Sequence, residues 1–328
     1  MKAWQVHQFC EPEQMTLEDV AIPEPGPGEL RIRNRAAALN FFDILQVQGK
    51  YQVKPPFPFA PGAEVAGVID AIGAGVEGFK PGDRVGAVSW IGGLAEYTIA
   101  KAERAFVIPN AMSDSEAAAM PVVYHTTYYG IEKRGQLQKD EWLLVHARAS
   151  GVGMAAIQIG KALGAHVIAT AGSDEKVAFC KTLSADFAFS YRDASWVDRV
   201  KEVTKGRGAD VIYDPVGGEI FDLSTKIIAT QGRLLVVGFA SGRIPTIAAN
   251  RILLKDIAIV GVHWGPYADR TPGYFHTVQL RLLELYERGA VKPVVQWEET
   301  LDNVPSAYRR MAERGAIGKM IVRISESD

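Results

Sequence analysis

The sequence predicts an α/β protein in two parts, a β-rich domain and a doubly wound parallel sheet. Three observations carry this. Residues 1 to about 120 hold short strand candidates parted by Gly/Pro turns, as in a small barrel or irregular sandwich. Glu141 to Lys176 (EWLLVHARASGVGMAAIQIGKALGAHVIATAGSDEK) reads as strand, tight turn, helix, strand. From there to Val262, strands and helices keep alternating until six strands are in place, which is what a doubly wound sheet requires.

In the first part, Ala3 to Gln8 and Leu17 to Val20 are short strands, followed by the turn-rich run Pro23 to Gly28. In Glu29 to Ala38, Leu30, Ile32 and Asn34 alternate with Arg31, Arg33 and Arg35, so a strand would put the arginines on one solvated face. Asn40 to Gln48 is a short helix, KPPFPFAPG a Pro-broken loop, and Val65 to Ile72 a strand. Ser113 and Glu116 have capping-box spacing at a helix start.

The second part opens with the apolar strand Trp142 to His146 and a small-residue turn from Arg148 to Gly153. Val152, Ala155, Ala156, Ile159 and Leu163 fall at helical spacing, and Gly164 stands at a C-cap position. His166 to Thr170 is a second strand. Such a βαβ unit suits a dinucleotide pyrophosphate, because small residues admit the phosphates and free N–H groups at the helix start meet their charge. The alternation continues through helix 175–183, strand 187–190, helix 196–204, strand 211–213, helix 221–228, strand 233–238 and strand 257–262. A helix over Tyr274 to Arg288, a strand near Val294 to Trp297, a helix over Val304 to Arg314 and a strand over Met320 to Ile324 complete the chain.

The bulk properties exclude several classes of function. At 328 residues the chain can hold two cores, and 36 Lys plus Arg against 38 Asp plus Glu leave no basis for nucleic-acid or anionic-membrane binding. The basic cluster Arg199, Lys201, Lys205 and Arg207 suits a helix C-terminus in solvent. Cys10 and Cys180 are too few for a disulfide framework, which points to a reducing, cytoplasmic setting. The start lacks a signal-peptide pattern, and no apolar run reaches the ~18 residues of a membrane span.

Several stretches converge on one family. GAEVAGVIDAIGAGVEGFKPGDRV (62 to 85) resembles the signature of the medium-chain dehydrogenase/reductase superfamily. ALNFFDILQVQGKY (38 to 51), MPVVYHTTYYG (120 to 130), HARASGVG (146 to 153) and DPVGG (214 to 218) resemble its zinc-independent quinone oxidoreductase branch, the relatives of zeta-crystallin. The resemblance covers essentially the whole chain. It implies a GroES-like β-rich catalytic domain (1–122 and 265–328) enclosing an NADP-binding Rossmann domain (123–264), a cleft between them, and a homodimer paired through the strand 257–262.

Against zinc-dependent relatives, Asn40 stands where a Cys ligand would be, Ala63 where a His would be, and Val122 or Val123 near the third ligand. None of these side chains supplies the N or S ligands of a tetrahedral Zn²⁺ site, and no Cys lies between positions 11 and 179 for a structural zinc lobe. No metal is expected.

NADPH is the expected cofactor. Where an NAD-binding unit carries an acidic residue after the second strand, this chain has Ala171 or Gly172, then Ser173. By resemblance, Lys176, Tyr191 and Arg314 contact the 2′-phosphate, although Asp174 and Glu175 oppose it and a solvated first-turn lysine is the plain alternative for Lys176. Ser150, Gly151, Val152 and Gly153 form the phosphate turn, with Ser150 reaching a phosphate oxygen and Arg148 lying along the pyrophosphate or facing solvent. The resemblance adds Thr126, Val216, Gly217, Gly238 and Phe239 around the rest of the cofactor.

A metal-free site is left with hydride transfer to an acceptor that is already electron-poor, a quinone or an α,β-unsaturated carbonyl. By resemblance, Asn40 orients cofactor or substrate, the alternative being an ordinary helix N-cap, and Tyr51 donates a proton or hydrogen bond. Leu45 replaces a second tyrosine found in some relatives. Trp90, Phe239, Trp264 and Tyr267 are placed in loops around the substrate, with plain packing as the alternative; His125 and His263 receive no catalytic role. The competing function is an NADPH-binding structural or regulatory protein with little turnover.

Overall fold

The computed structural model of the chain describes residues 1–146, 150–313 and 317–325, and it divides into two compact units. One comprises residues 1–122, 275–279 and the chain from Pro293 onward; the other comprises Val123–Tyr274 and Leu280–Lys292.

The first unit contains β1 (Lys2–Gln5), β2 (Thr16–Asp19), β3 (Glu29–Ala38), α1 (Phe41–Val47), β4 (Glu64–Ile72), β5 (Arg84–Val88), β6 (Tyr97–Lys101), β7 (Ala105–Val107) and α2 (Asp114–Ala119). The second unit begins within α3 (Pro121–Tyr128), which runs into a wider π-turn over Tyr129–Arg134. It continues with β8 (Trp142–His146), α4 (Gly151–Ala162), β9 (His166–Ala171), α5 (Asp174–Thr182), β10 (Phe187–Ser190), α6 (Trp196–Val203), β11 (Ala209–Asp214), α7 (Gly218–Ile227), β12 (Ile228–Val236), α8 (Ala249–Lys255), β13 (Ala258–Gly261), α9 (Trp264–Asp269) and α10 (Tyr274–Glu287). The tail adds β14 (Val295–Thr300), α11 (Val304–Ala312) and β15 (Lys319–Arg323) to the first unit.

In the first unit β3 organises a seven-stranded sheet. One of its edges pairs along its length with β4, while its N-terminal half pairs with β6 and Ala36 to Ala38 pair with β15. Period-two alternation behaves as expected: Leu30, Ile32 and Asn34 are buried, and Leu30 and Ile32 join a core with Val65, Ile69, Val85 and Leu94. The arginine face differs from the expected solvated one. Arg31 pairs with Asp70 at 2.6 Å and Glu24 at 2.9 Å, and Arg35 lies 3.6 Å from Asp114, so carboxylates from neighbouring segments partly cover this face.

The second unit holds a six-stranded, all-parallel sheet in the order β10-β9-β8-β11-β12-β13. Numbered within the sheet this is 3-2-1-4-5-6, the Rossmann order, whose reversal between β8 and β11 leaves a crevice at their carboxyl ends. Leu144, Ile168, Ile212, Leu234, Trp196 and Phe221 fill part of its core. Helix α4 lies close on the sheet because Gly160 has no side chain: a Cβ there would stand 2.5 Å from Leu143 Cδ2. Gly164 ends this helix with φ +83°, as the sequence predicts.

Among the described residues no helix is long and apolar enough to cross a membrane.

Candidate active site

Three strands bring the polar cluster of the first unit together. Ala38, the last residue of β3, is in register with Glu64 of β4 on one side and Ile321 of β15 on the other. The next residues therefore converge: Leu39 N–H donates to the Met320 carbonyl at 2.9 Å, Asn40 begins α1, and Lys319 heads β15. Lys319 and Glu64 are buried, at 3% and 0% exposure. The ammonium donates to Glu64 Oε1 at 2.5 Å, Asn40 Oδ1 at 2.9 Å and the Leu39 carbonyl at 3.1 Å. Asn40 Nδ2 donates to the same Glu64 oxygen at 2.9 Å, and Glu64 Oε2 accepts the Val122 N–H at 2.7 Å. Removing one partner of such a buried ion pair typically costs about 3–5 kcal/mol, because the other charge is left uncompensated.

Asp43 adjoins this cluster. Its Oδ2 accepts the Asn40 backbone N–H at 2.8 Å, while Oδ1 is buried without a hydrogen-bond partner among the described residues. Burial pushes its pKa up to about 8, opposed first by the Asn40 backbone hydrogen bond and then by Lys319, with the Glu64 charge acting in the same direction as burial. Tyr51 is half-buried and stacks on Phe42 at 5.3 Å, with Trp90 6.3 Å from Phe42 on the same unit. Burial, then the charge of Asp43, raises the Tyr51 pKa, which keeps it a phenol and a donor.

Asn40 does occupy the N-cap position of α1, but its carboxamide is committed to Lys319 and Glu64. Ala63, Val122 and Val123 are buried and carry no donor atom in their side chains. With an ammonium already bonded to the Glu64 carboxylate, the donor set does not fit a divalent ion. Among the described residues no group of three or more His, Cys, Asp or Glu side chains is arranged to hold a metal.

On the second unit, three loops at the carboxyl ends of the strands carry the residues assigned to the cofactor. Ser150 is the N-cap of α4, its Oγ accepting the Gly153 N–H at 3.4 Å; Gly151 and Gly153 are buried and Val152 half-buried. The N-terminus of this 12-residue helix is the kind of site that favours an anion. After β9, Ser173 caps α5 by accepting the Lys176 N–H at 3.4 Å. The backbone of Tyr191 bonds to the Ala171 carbonyl at 3.0 Å, and its hydroxyl crosses Gly172 so closely that a Cβ there would stand 2.5 Å from it. Gly172, Ser173, Lys176 and Tyr191 thus meet at one strand end. Arg148 and Arg314 lie outside the described residues.

The third loop is DPVGG. Asp214 Oδ1 accepts the N–H groups of Val216 at 2.7 Å and Gly217 at 2.9 Å, while burial raises its pKa to about 6. Gly217 and Gly218 adopt φ of +67° and +59°, conformations that favour glycine. Bonds from Ala240 N to the Pro215 carbonyl (3.1 Å) and from Ser241 N to the Val216 carbonyl (2.9 Å) hold Gly238 and the exposed Phe239 beside Val216 and Gly217. Thr126 is half-buried on α3, and its neighbour Thr127 bonds to Tyr213 at 3.0 Å.

Trp264 and Tyr267 lie on the short helix α9 rather than in a loop. Trp264 is buried, its ring 5.1 Å from that of His125, and Tyr267 stacks on Tyr129 at 4.8 Å and meets Tyr274 edge-on at 4.9 Å. Both side chains thus pack against aromatic rings of their own unit, Trp264 buried and Tyr267 half-buried.

A GroES-like β-rich unit combined with a Rossmann unit defines the class, a medium-chain dehydrogenase/reductase. Residues 26–110 match the alcohol dehydrogenase GroES-like domain and residues 151–279 the zinc-binding dehydrogenase domain. The chain is 34% identical to mouse quinone oxidoreductase-like protein 2 over 313 residues, 95% of this chain and 89% of the relative, and 31% identical to human quinone oxidoreductase over 325 residues, 98% and 97%. The structure of Escherichia coli quinone oxidoreductase complexed with NADPH superposes with a TM-score of 0.91 at 28% identity, covering 98% of this chain and all of that one. The protein belongs to the quinone oxidoreductase family, a family of oxidoreductases.

Proposed function

We propose that the protein is an NADPH-dependent oxidoreductase that transfers hydride to a quinone or an α,β-unsaturated carbonyl without zinc. The observation that carries this reading is the Lys319–Glu64–Asn40 cluster, where an amide stands at a metal-ligand position and a lysine ammonium pairs with the buried carboxylate. With no Lewis acid to polarise an alcohol or simple carbonyl, the chemistry left is reduction of a conjugated acceptor whose oxygen takes up charge readily.

NADPH, when bound, supplies the hydride. The α4 N-terminus with Ser150, Gly151, Val152 and Gly153 faces the pyrophosphate. Gly172, Ser173, Lys176 and Tyr191, with Arg314, take the 2′-phosphate; Ala171 and Gly172 leave β9 without the terminal carboxylate of an NAD site, although Asp174 and Glu175 follow on α5, and the solved E. coli relative carries NADPH. Thr126, Val216, Gly217, Gly238 and Phe239 flank the nicotinamide. Asn40 orients the reacting groups, Tyr51 donates a hydrogen bond or the final proton, and Trp90, Trp264 and Tyr267 bound the acceptor.

A homodimer in the cytoplasm completes the reading. Strand β13 has one paired edge, and nearby chain exposes Ile244, Leu253 and Leu254 at 69%, 78% and 81%. A strand edge and apolar side chains left this open are ordinarily covered.

The test is NADPH consumption with a panel of simple quinones and enones, repeated after chelation and alongside metal analysis. Turnover that survives without zinc supports the proposal. Stoichiometric zinc needed for turnover would overturn it, and tight NADPH binding with no turnover of any acceptor would favour the structural or regulatory alternative.

A further inference from the structure

We infer that Lys319 is a positioning residue that makes Asn40 an obligate hydrogen-bond donor toward its ligand, so that this side of the site takes an acceptor oxygen, a carbonyl or quinone oxygen gaining negative charge. The inference rests on the hydride-transfer reading above and specifies its polarity. An asparagine amide is ordinarily ambiguous, because rotation by 180° exchanges donor and acceptor at little steric cost. Here the two neighbours remove the ambiguity. Lys319 can only donate, and its partner is Asn40 Oδ1 at 2.9 Å. Glu64, paired with that lysine, can only accept, and its partner is Asn40 Nδ2 at 2.9 Å. In the rotated amide the NH₂ would face the ammonium and the carbonyl would face the carboxylate, two like-against-like contacts in a site that is almost fully buried.

All three hydrogens of Lys319 are used, on Glu64, Asn40 and the Leu39 carbonyl. Both oxygens of Glu64 are used as well, Oε2 being held by the Val122 N–H. Among the described residues Glu64 is the one acceptor of Asn40 Nδ2, so one N–H of the amide remains to be presented. Asn40 is 7% exposed, which limits that approach to a narrow aperture. A fixed donor aimed at an oxygen that becomes more negative during reaction stabilises the transition state more than the ground state. The lysine touches neither cofactor nor acceptor in this scheme; it acts by fixing the amide.

The experiment compares wild type with Lys319→Met and with Lys319→Met/Glu64→Gln, the second removing the carboxylate that the first leaves uncompensated. Readouts are melting temperature, NADPH affinity by fluorescence titration, and kcat and KM with a simple quinone. The double variant is expected to melt within about 5 °C of wild type and to bind NADPH with a Kd within about threefold, while kcat falls roughly 100-fold, the scale of losing one donor to a developing anion. Recovery of kcat together with stability would overturn the inference, leaving Lys319 as a countercharge only. Selective ¹⁵N-asparagine labelling gives a readout independent of turnover, with the Asn40 side-chain signal assigned by its loss in Asn40→Ala. The separation between the two Nδ2 hydrogen shifts should be wide in Glu64→Gln and narrow to that of a freely turning asparagine side chain when Lys319→Met is added; an unchanged separation overturns the inference. A wild type inactive on every acceptor defeats the hydride-transfer reading, while the amide spectra still decide whether Lys319 fixes Asn40.

Discussion

Gly172 offers a direct test of how the cofactor's 2′-phosphate is recognised. A Cβ at this position would lie 2.5 Å from Tyr191 Oη and 3.0 Å from Tyr191 Cζ, so Gly172→Ala must push the phenol away from the end of β9. The backbone of Gly172 is not among the left-handed glycines, so the alanine acts through this contact rather than through strain. If the Tyr191 hydroxyl bonds the 2′-phosphate, its displacement removes one hydrogen bond to a charged group, worth ~1.5–3 kcal/mol, or about 10- to 150-fold in NADPH affinity. NADH, which lacks the phosphate, should lose little. Gly172→Asp adds a carboxylate: at a separation of about 5 Å in water-like dielectric, a doubly charged phosphate and a carboxylate repel by ~1.7 kcal/mol before salt screening. Fluorescence titration of both cofactors against wild type, Gly172→Ala and Gly172→Asp reads the effect as a ratio of affinities. Equal weakening of NADPH and NADH by the alanine would show that Tyr191 only packs on the shared adenosine. A preference for NADPH that survives Gly172→Asp would refute the assignment of this strand end to the phosphate.

Other perturbations follow from individual contacts. Gly160→Ala puts a methyl group 2.5 Å from Leu143 Cδ2, and overpacking between α4 and β8 should destabilise the protein by ~1–3 kcal/mol in urea unfolding; no loss would mean that the helix can ride outward freely. Asp214 has a folded-state pKa raised from 3.8 to about 6 by burial, so the stability gained from its neutral form is full below about pH 4 and lost as pH rises through 6. Relative to Asp214→Asn, which keeps an acceptor for the Val216 and Gly217 N–H groups, wild type should lose on the order of 3 kcal/mol across that window, and parallel pH–stability curves would contradict it. Leu253→Asp combined with Leu254→Asp should shift the proposed dimer to a monomer by light scattering, whereas an unchanged mass would remove α8 from the interface.

The second unit was the more legible half because its order depends on patterns that survive in one dimension. Apolar strand runs, helical spacing in α4 and the terminal Gly164 are local, and they implied a sheet whose observed order is that of a Rossmann domain. Helix α8 carries no such signal: none of its residues is buried, and Ile252, Leu253 and Leu254 are consecutive and give no helical period. Helix α9 is a six-residue helix without a side-chain cap, so Trp264 and Tyr267 read as loop. The Arg31 and Arg35 ion pairs depend on carboxylates at Glu24, Asp70 and Asp114, which strand periodicity cannot identify.

Lys319 marks the boundary between what a chain reveals locally and what only topology supplies. One signal was available: Lys319, Met320, Ile321 and Val322 form an inward run in which a lysine is anomalous, and a buried lysine requires a carboxylate. The chain has 38 acidic residues, and nothing near position 319 selects Glu64, which lies 255 residues away. The selection comes from β3, whose last residue is in register with Glu64 on one edge and Ile321 on the other. Asn40, two residues beyond that point, then meets both charges. The same register explains why the cluster is coupled to the fold as a whole: shifting β15 by one residue would turn Lys319 to the opposite face of the sheet and leave Glu64 buried without its countercharge. The tail strand therefore completes the buried polar cluster, although its own composition reads as core.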